Sequence, residues 1–119
     1  MKLLFGLATG ADSLEALERS ASRAREVGDD LVVAVLEGPD EEGGLKATAE
    51  RAREIVGEDI GVRTVEGHPG SRLVEIAESE GFDRILLGGG EQSPMGKIRI
   101  DSIAEFVLLN SHVSVTLLR

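Results

Sequence analysis

The residues between Gly88 and Ser102 include the chain's best candidates for binding an anion. Gly88-Gly89-Gly90 supplies three positions without side chains, Ser93 and Ser102 supply hydroxyls, and Gly96-Lys97 and Arg99 supply a flexible turn and two positive charges. Bare backbone lets N–H groups approach a phosphate closely, and a helix N-terminus following such a loop adds a favourable dipole. The pair Gly96-Lys97 does not complete a P-loop, because that motif needs a glycine where Glu91 stands and a hydroxyl where Ile98 stands. The chemistry to expect here is therefore anion binding, without a magnesium-organising hydroxyl.

Other chemistries lack their residues. With no cysteine there is no thiolate nucleophile, disulfide framework or cysteine metal site. His68 and His112 lie far apart in the chain and have no third ligand, so they are expected to be solvated loop residues rather than a zinc site. Ser71, Ser93, Ser102 and Ser111 fall outside any Gly-x-Ser-x-Gly elbow, and no histidine–acid pair is placed to activate them. A net charge of −9 argues against nucleic acid, whose binding depends on Lys and Arg neutralising phosphates. Only three of the thirteen basic residues are lysine, an acid-rich balance that suits solubility at high salt and a halophilic source.

These residues must be positioned by the elements around them. Lys2 to Ala8 is a short apolar strand, followed by Thr9-Gly10-Ala11-Asp12-Ser13, where Asp12 or Ser13 can cap a helix. That helix carries Leu14, Ala16, Leu17, Ala21, Ala24 and Val27 as a one-sided stripe and stops at Gly28. Leu31 to Leu36 is continuously apolar rather than alternating, as in a strand covered on both faces. The unit then repeats, with a helix about Gly44 to Val56, a strand about Gly61 to Val65, then Gly67-His68-Pro69-Gly70-Ser71 leading into a helix with the stripe Leu73, Ile76 and Ala77 that stops at Gly81, and a strand Arg84 to Gly88. A long loop follows, then a helix capped by Asp101 or Ser102, and a final strand from Val113 to Leu118.

The order βαβαβαβαβ predicts one α/β domain over residues 1–119, a five-stranded parallel sheet with helices on both faces. In such sheets ligands bind beyond the strands' C-terminal ends, which directs attention to the loops after the first and fourth strands. No apolar run is long enough to span a bilayer, and Asp12 comes too early for a signal peptide, so a cytoplasmic protein is expected. The final strand, with Val113, Val115 and Leu117 alternating with Ser114, Thr116 and Leu118, is expected at a sheet edge open to pairing.

The stretches Val65-Glu66-Gly67-His68-Pro69 through Ile76, Gly81-Phe82-Asp83-Arg84-Ile85-Leu86-Leu87-Gly88 and Ser102-Ile103-Ala104-Glu105-Phe106-Val107-Leu108 resemble the universal stress protein family. With the element order, the resemblance covers nearly the whole chain. It implies a Rossmann-like, adenine nucleotide alpha hydrolase-like fold with strand order 3-2-1-4-5. It also implies a homodimer through the terminal strand Val113 to Leu118, which would bury that edge isologously, and a stress-response or regulatory role.

Nucleotide-binding members of that family show glycine, two residues, glycine, nine residues, glycine, then serine or threonine. Counting from Gly88, the second and third glycine positions fall on Glu91 and Asp101, and the hydroxyl falls on Ser102. A carboxylate about 4 Å from a phosphate costs on the order of 4 kcal/mol at an effective dielectric near 20, roughly a thousandfold in affinity. The position that in those members holds the ribose hydroxyls with an aspartate is Ala8 here, with Thr9 and Asp12 as imperfect substitutes, and Val35 matches the position near adenine.

The run Ser93-Pro94-Met95-Gly96-Lys97 resembles a subset of the family and implies a retained anion loop. The expected site for ATP, AMP or another anion thus comprises Ala8, Thr9, Val35, Gly88, Gly89, Gly90, Ser93, Gly96, Lys97 and Ser102. The expected function is a non-catalytic regulatory module with weak or absent ATP binding, the alternatives being an ATP-binding member with slow hydrolysis and a sensor of another anion. ATP pyrophosphatases and receiver domains fit less well. Only Gly10, Asp12 and Ser13 match the former's loop, and the third strand offers the latter only Glu66.

Overall fold

The computed structural model describes residues 1–9, 14–38, 44–88, 91–92, 98–99 and 102–118, with 91–92 and 98–99 described by backbone alone. Its elements are β1 (Lys2–Ala8), α1 (Leu14–Val27), β2 (Asp30–Leu36), α2 (Gly44–Val56), β3 (Gly61–Val65), α3 (Pro69–Ser79), β4 (Arg84–Gly88), β5 (Glu91–Gln92), β6 (Ile98–Arg99), α4 (Ser102–Asn110) and β7 (Ser114–Leu118). The main sheet is parallel and ordered β3-β2-β1-β4-β7, which is the expected 3-2-1-4-5 order with β7 as the fifth large strand.

Local chemistry accounts for the boundaries. Gly28 and Gly57 follow α1 and α2 with φ of 75° and 83°, a left-handed conformation that glycine adopts without a Cβ penalty. Pro69 opens α3, where its missing N–H is not needed. The proposed caps Asp12, Ser13 and Asp101 lie outside the described residues, and Ser102 is the first residue of α4.

The apolar strands divide their side chains between two cores. Leu3, Phe5 and Leu7 of β1 and Leu31, Val33 and Val35 of β2 pack with Ala16, Leu17, Ala21 and Ala24 of α1 and Ala49, Ala52 and Val56 of α2. Leu4, Ala34 and Leu36 pack instead with Leu73, Ile76 and Ala77 of α3 and Ile103, Ala104 and Val107 of α4. Helices α1 and α2 therefore cover one face and α3 and α4 the other. Each fully buried Leu, Val or Phe contributes about 1.5–3 kcal/mol.

Two features differ from the sequence-based expectation. The segment after β4 was expected to be a loop, but it contains an antiparallel pair in which Glu91 lies opposite Arg99 and Gln92 opposite Ile98. Two-residue strands are too short to show a period in the sequence. His68 was expected to be a plain solvated loop residue. It is the N-cap of α3, its Nδ1 accepting from the Ser71 N–H at 3.0 Å. Its ring lies 4.9 Å from that of Phe106 on α4. Gly70 admits Phe106, since a Cβ there would come within 2.7 Å of the ring.

Charged groups fasten the end of the sheet where the strands begin. Arg25 near the end of α1 grips Asp59 through two nitrogens at 2.9 and 3.1 Å and also donates to the Val56 carbonyl. Arg63 holds Glu80 in the same two-pronged way at 2.8 and 3.0 Å, and Lys2 donates to the Glu80 carbonyl while its ammonium sits 4.4 Å over Phe82. Among the described residues no helix is long and apolar enough to cross a membrane.

Two outcomes are expected. Replacing His68 by Ala lowers unfolding stability by about 1 kcal/mol through loss of the cap, and His68→Ser recovers most of it, as read by urea denaturation. The hydrogen bonds from Arg25 and Arg63 hold Asp59 and Glu80 below their ordinary values of 3.8 and 4.5. A depressed folded value means that each carboxylate's contribution is present above the unfolded value and is lost as pH falls through the folded one. Stability measured from neutral pH downward should therefore be flat until near 4.5 and then decline, less steeply in Glu80→Gln.

Candidate functional site

The chain runs outward from β1 through β2 to β3 and then returns to the other side of β1 with β4, so strand order reverses between β1 and β4. The loops leaving those two strands lead to helices on opposite faces, α1 on one and α4 on the other, and a crevice forms where such loops part. Ladder length agrees with this placement. β1 pairs with β2 as far as Ala8↔Leu36, and β4 with β7 as far as Gly88↔Leu118, whereas the last described pair between β1 and β4 is Gly6↔Leu87.

The β1–β2 side is closed beyond the ladder. The Thr9 N–H donates to the Leu36 carbonyl at 2.9 Å, and the Gly38 N–H donates to the Thr9 hydroxyl at 2.7 Å. Thr9 is only 4% exposed. The chains approach so closely that a Cβ on Gly38 would lie 2.2 Å from the Thr9 carbonyl oxygen, so only glycine fits there without displacement.

The sequence-derived candidates are distributed unevenly around this crevice. Ala8 at the end of β1 and Gly88 at the end of β4 are both half-buried on its two rims. Ser102 is exposed at the start of α4, the helix that leads the chain away from that end of β4. Thr9 turns its hydroxyl toward Gly38, and Val35 is fully buried in the core beneath α1 and α2. Gly89, Gly90, Ser93, Gly96 and Lys97 lie outside the described residues, as do Asp12 and Asp101.

The sequence reading missed Gly38, which stands 29 residues from its partner Thr9 and follows no motif. It also gave His112 no partner, where the structure places its Nδ1 2.9 Å from Glu78 at the surface. Among the described residues no group of three or more His, Asp or Glu is assembled for a metal ion. A shallow groove on the outer side of α1, lined by Glu15, Glu18, Arg19, Ser22, Arg23 and Glu26, mixes both charges and lacks a convergent polar group.

Comparison with known proteins adds independent weight. A search of curated proteins returns no match. Among solved structures, a universal stress protein from Archaeoglobus fulgidus superposes with a TM-score of 0.77 at 21% identity, covering 100% of this chain and 98% of that one. The A. fulgidus universal stress protein in complex with dAMP gives 0.75 at 20% identity with the same coverage. A universal stress protein in complex with cAMP gives 0.70 at 25% identity, covering 100% of this chain and 96% of its own. The family model described as the universal stress protein family matches residues 34–119, which include β3, α3, β4, α4 and β7. With its sheet order and this match, the chain belongs to the universal stress protein family.

Proposed function

We propose that this chain is a non-catalytic regulatory module of the stress-response type, whose β1–β4 crevice holds an adenine nucleotide weakly and does not hydrolyse it. The observation that carries this reading is the site at the reversal of strand order between β1 and β4. Its described rims, Ala8 and Gly88, bring no acid, base or nucleophile, while Ser102 opens α4 at the same end of the sheet. Proteins of this fold have been solved with cAMP and dAMP, which supports a nucleotide as the occupant. Glu91 and Asp101 stand where the family pattern has glycine, and their charges oppose a phosphate, which is why the binding is weak. Ser93, Gly96, Lys97 and the α4 dipole act in the opposite sense.

Signal output would pass through a dimer. Strand β7 lies at the edge of the sheet, its residues Val115 to Leu118 are only half-buried, and Leu109 near the end of α4 is 76% exposed. Pairing of two β7 edges across a two-fold axis would cover this surface.

Four measurements test these statements. Mass spectrometry of the denatured, freshly purified protein should release AMP or ATP in less than equimolar amount. Added nucleotide should raise the melting temperature, toward the gain of about 2.7 kcal/mol that a ligand gives at a hundredfold its Kd. No release together with no shift, at either low or high salt, would reject the nucleotide reading. The double variant Glu91→Gly, Asp101→Gly should bind at least about tenfold tighter at low salt, with the gain shrinking as salt screens the charges. Light scattering should return the mass of a dimer, and a monomer at all concentrations would remove the β7 pairing.

A further inference from the structure

The five-stranded sheet ends in β3 on one side and β7 on the other, and β3 is gripped by charged side chains from both faces. Val62 packs toward the core beneath α1 and α2, so the next residue, Arg63, points to the opposite face. There its guanidinium is fixed by Glu80, just past α3, through two bonds at 2.8 and 3.0 Å. From the first face Arg53 of α2 donates to the Val62 carbonyl at 3.3 Å, in an exposed position. A backbone acceptor of the edge strand is thus taken by a side chain of the same molecule. A strand added here would have to displace and desolvate that guanidinium, and cations at an edge strand discourage such addition.

Resting on the β7 pairing proposed above, we propose that Arg53 and Arg63 close the β3 edge to a second copy of this chain, so that assembly stops at the β7 pair. With β7 covered by its twin, β3 is the edge left on each half of the pair. Were it open, pairs would join through it one after another, and a contact that leads from pair to pair without closing grows into a filament. The two arginines thereby confine self-association to one edge of the sheet.

Light scattering of the full chain over a wide concentration range tests this, with far-UV circular dichroism reporting the fold. The double variant Arg53→Ala, Arg63→Thr should keep the native spectrum yet rise with concentration to at least about twice the native mass, the step expected when pairs join. Hydrogen exchange in Gly61–Val65 should slow in the larger species, and growth with exchange there unchanged or faster would overturn the proposal. A folded double variant of native mass at every concentration would overturn it and leave the β7 pairing standing. Arg53→Lys, Arg63→Lys keeps both charges and should hold the native mass; growth equal to that of the neutral variant would also overturn the proposal. If the neutral double variant loses the native spectrum, Arg53→Ala alone, which spares the Arg63–Glu80 pair, carries the same expectation of growth. A native chain that is monomeric throughout would remove the β7 pairing, and the closed β3 edge then stands or falls on whether the neutral variant alone doubles its mass.

Discussion

Burial of β1 and β2 on both faces is the constraint from which the rest of the architecture follows. Leu4 and Phe5 are neighbours on one strand, point to opposite faces, and are both fully buried; Ala34 and Val35 do the same on β2. A strand of that kind cannot sit at an edge or leave a face to water, so helices must lie on both sides. With α1 and α2 on one face and α3 and α4 on the other, the chain has to reverse its direction of strand addition beside β1. The place of the candidate site is a consequence of that reversal.

The two ends of the sheet are held by different physics. Where the strands begin, exposed ion pairs tie α1 to the turn before β3 and β3 to the end of α3. Such pairs contribute little singly and weaken with salt and acid. Where β1 and β2 end, short neutral hydrogen bonds around Thr9 do the fastening, in a buried setting that salt screens far less. The fixed floor of the crevice thus lies at the end least exposed to ionic conditions, a useful arrangement in a chain of net charge −9.

The packing of α3 against α4 links this floor to the start of α4. Phe106 fits over Gly70 and beside His68, the residue that caps α3, so one contact sets both the start of α3 and its packing against α4. A change at His68 would therefore reach the helix whose first residue is Ser102 without touching a ligand.

The sequence by itself determined the elements and their class. Glycine and proline mark helix ends at Gly28, Gly57 and Pro69 for local steric reasons, and the unbroken apolar run in β2 signals burial on two faces. The resemblance also named Ala8, Gly88 and Ser102, which stand at the ends of β1 and β4 and at the start of α4. The tertiary structure alone decided which distant residues the described polar groups meet. The Thr9 hydroxyl meets the Gly38 N–H, 29 residues away, only when the chain is folded. Val35 is buried beneath α1 and α2, and the His68 ring, which caps α3, also meets Phe106 of α4. Hydrogen bonds and burial between distant segments depend on angle and approach in three dimensions, and neither residue type nor local spacing encodes them.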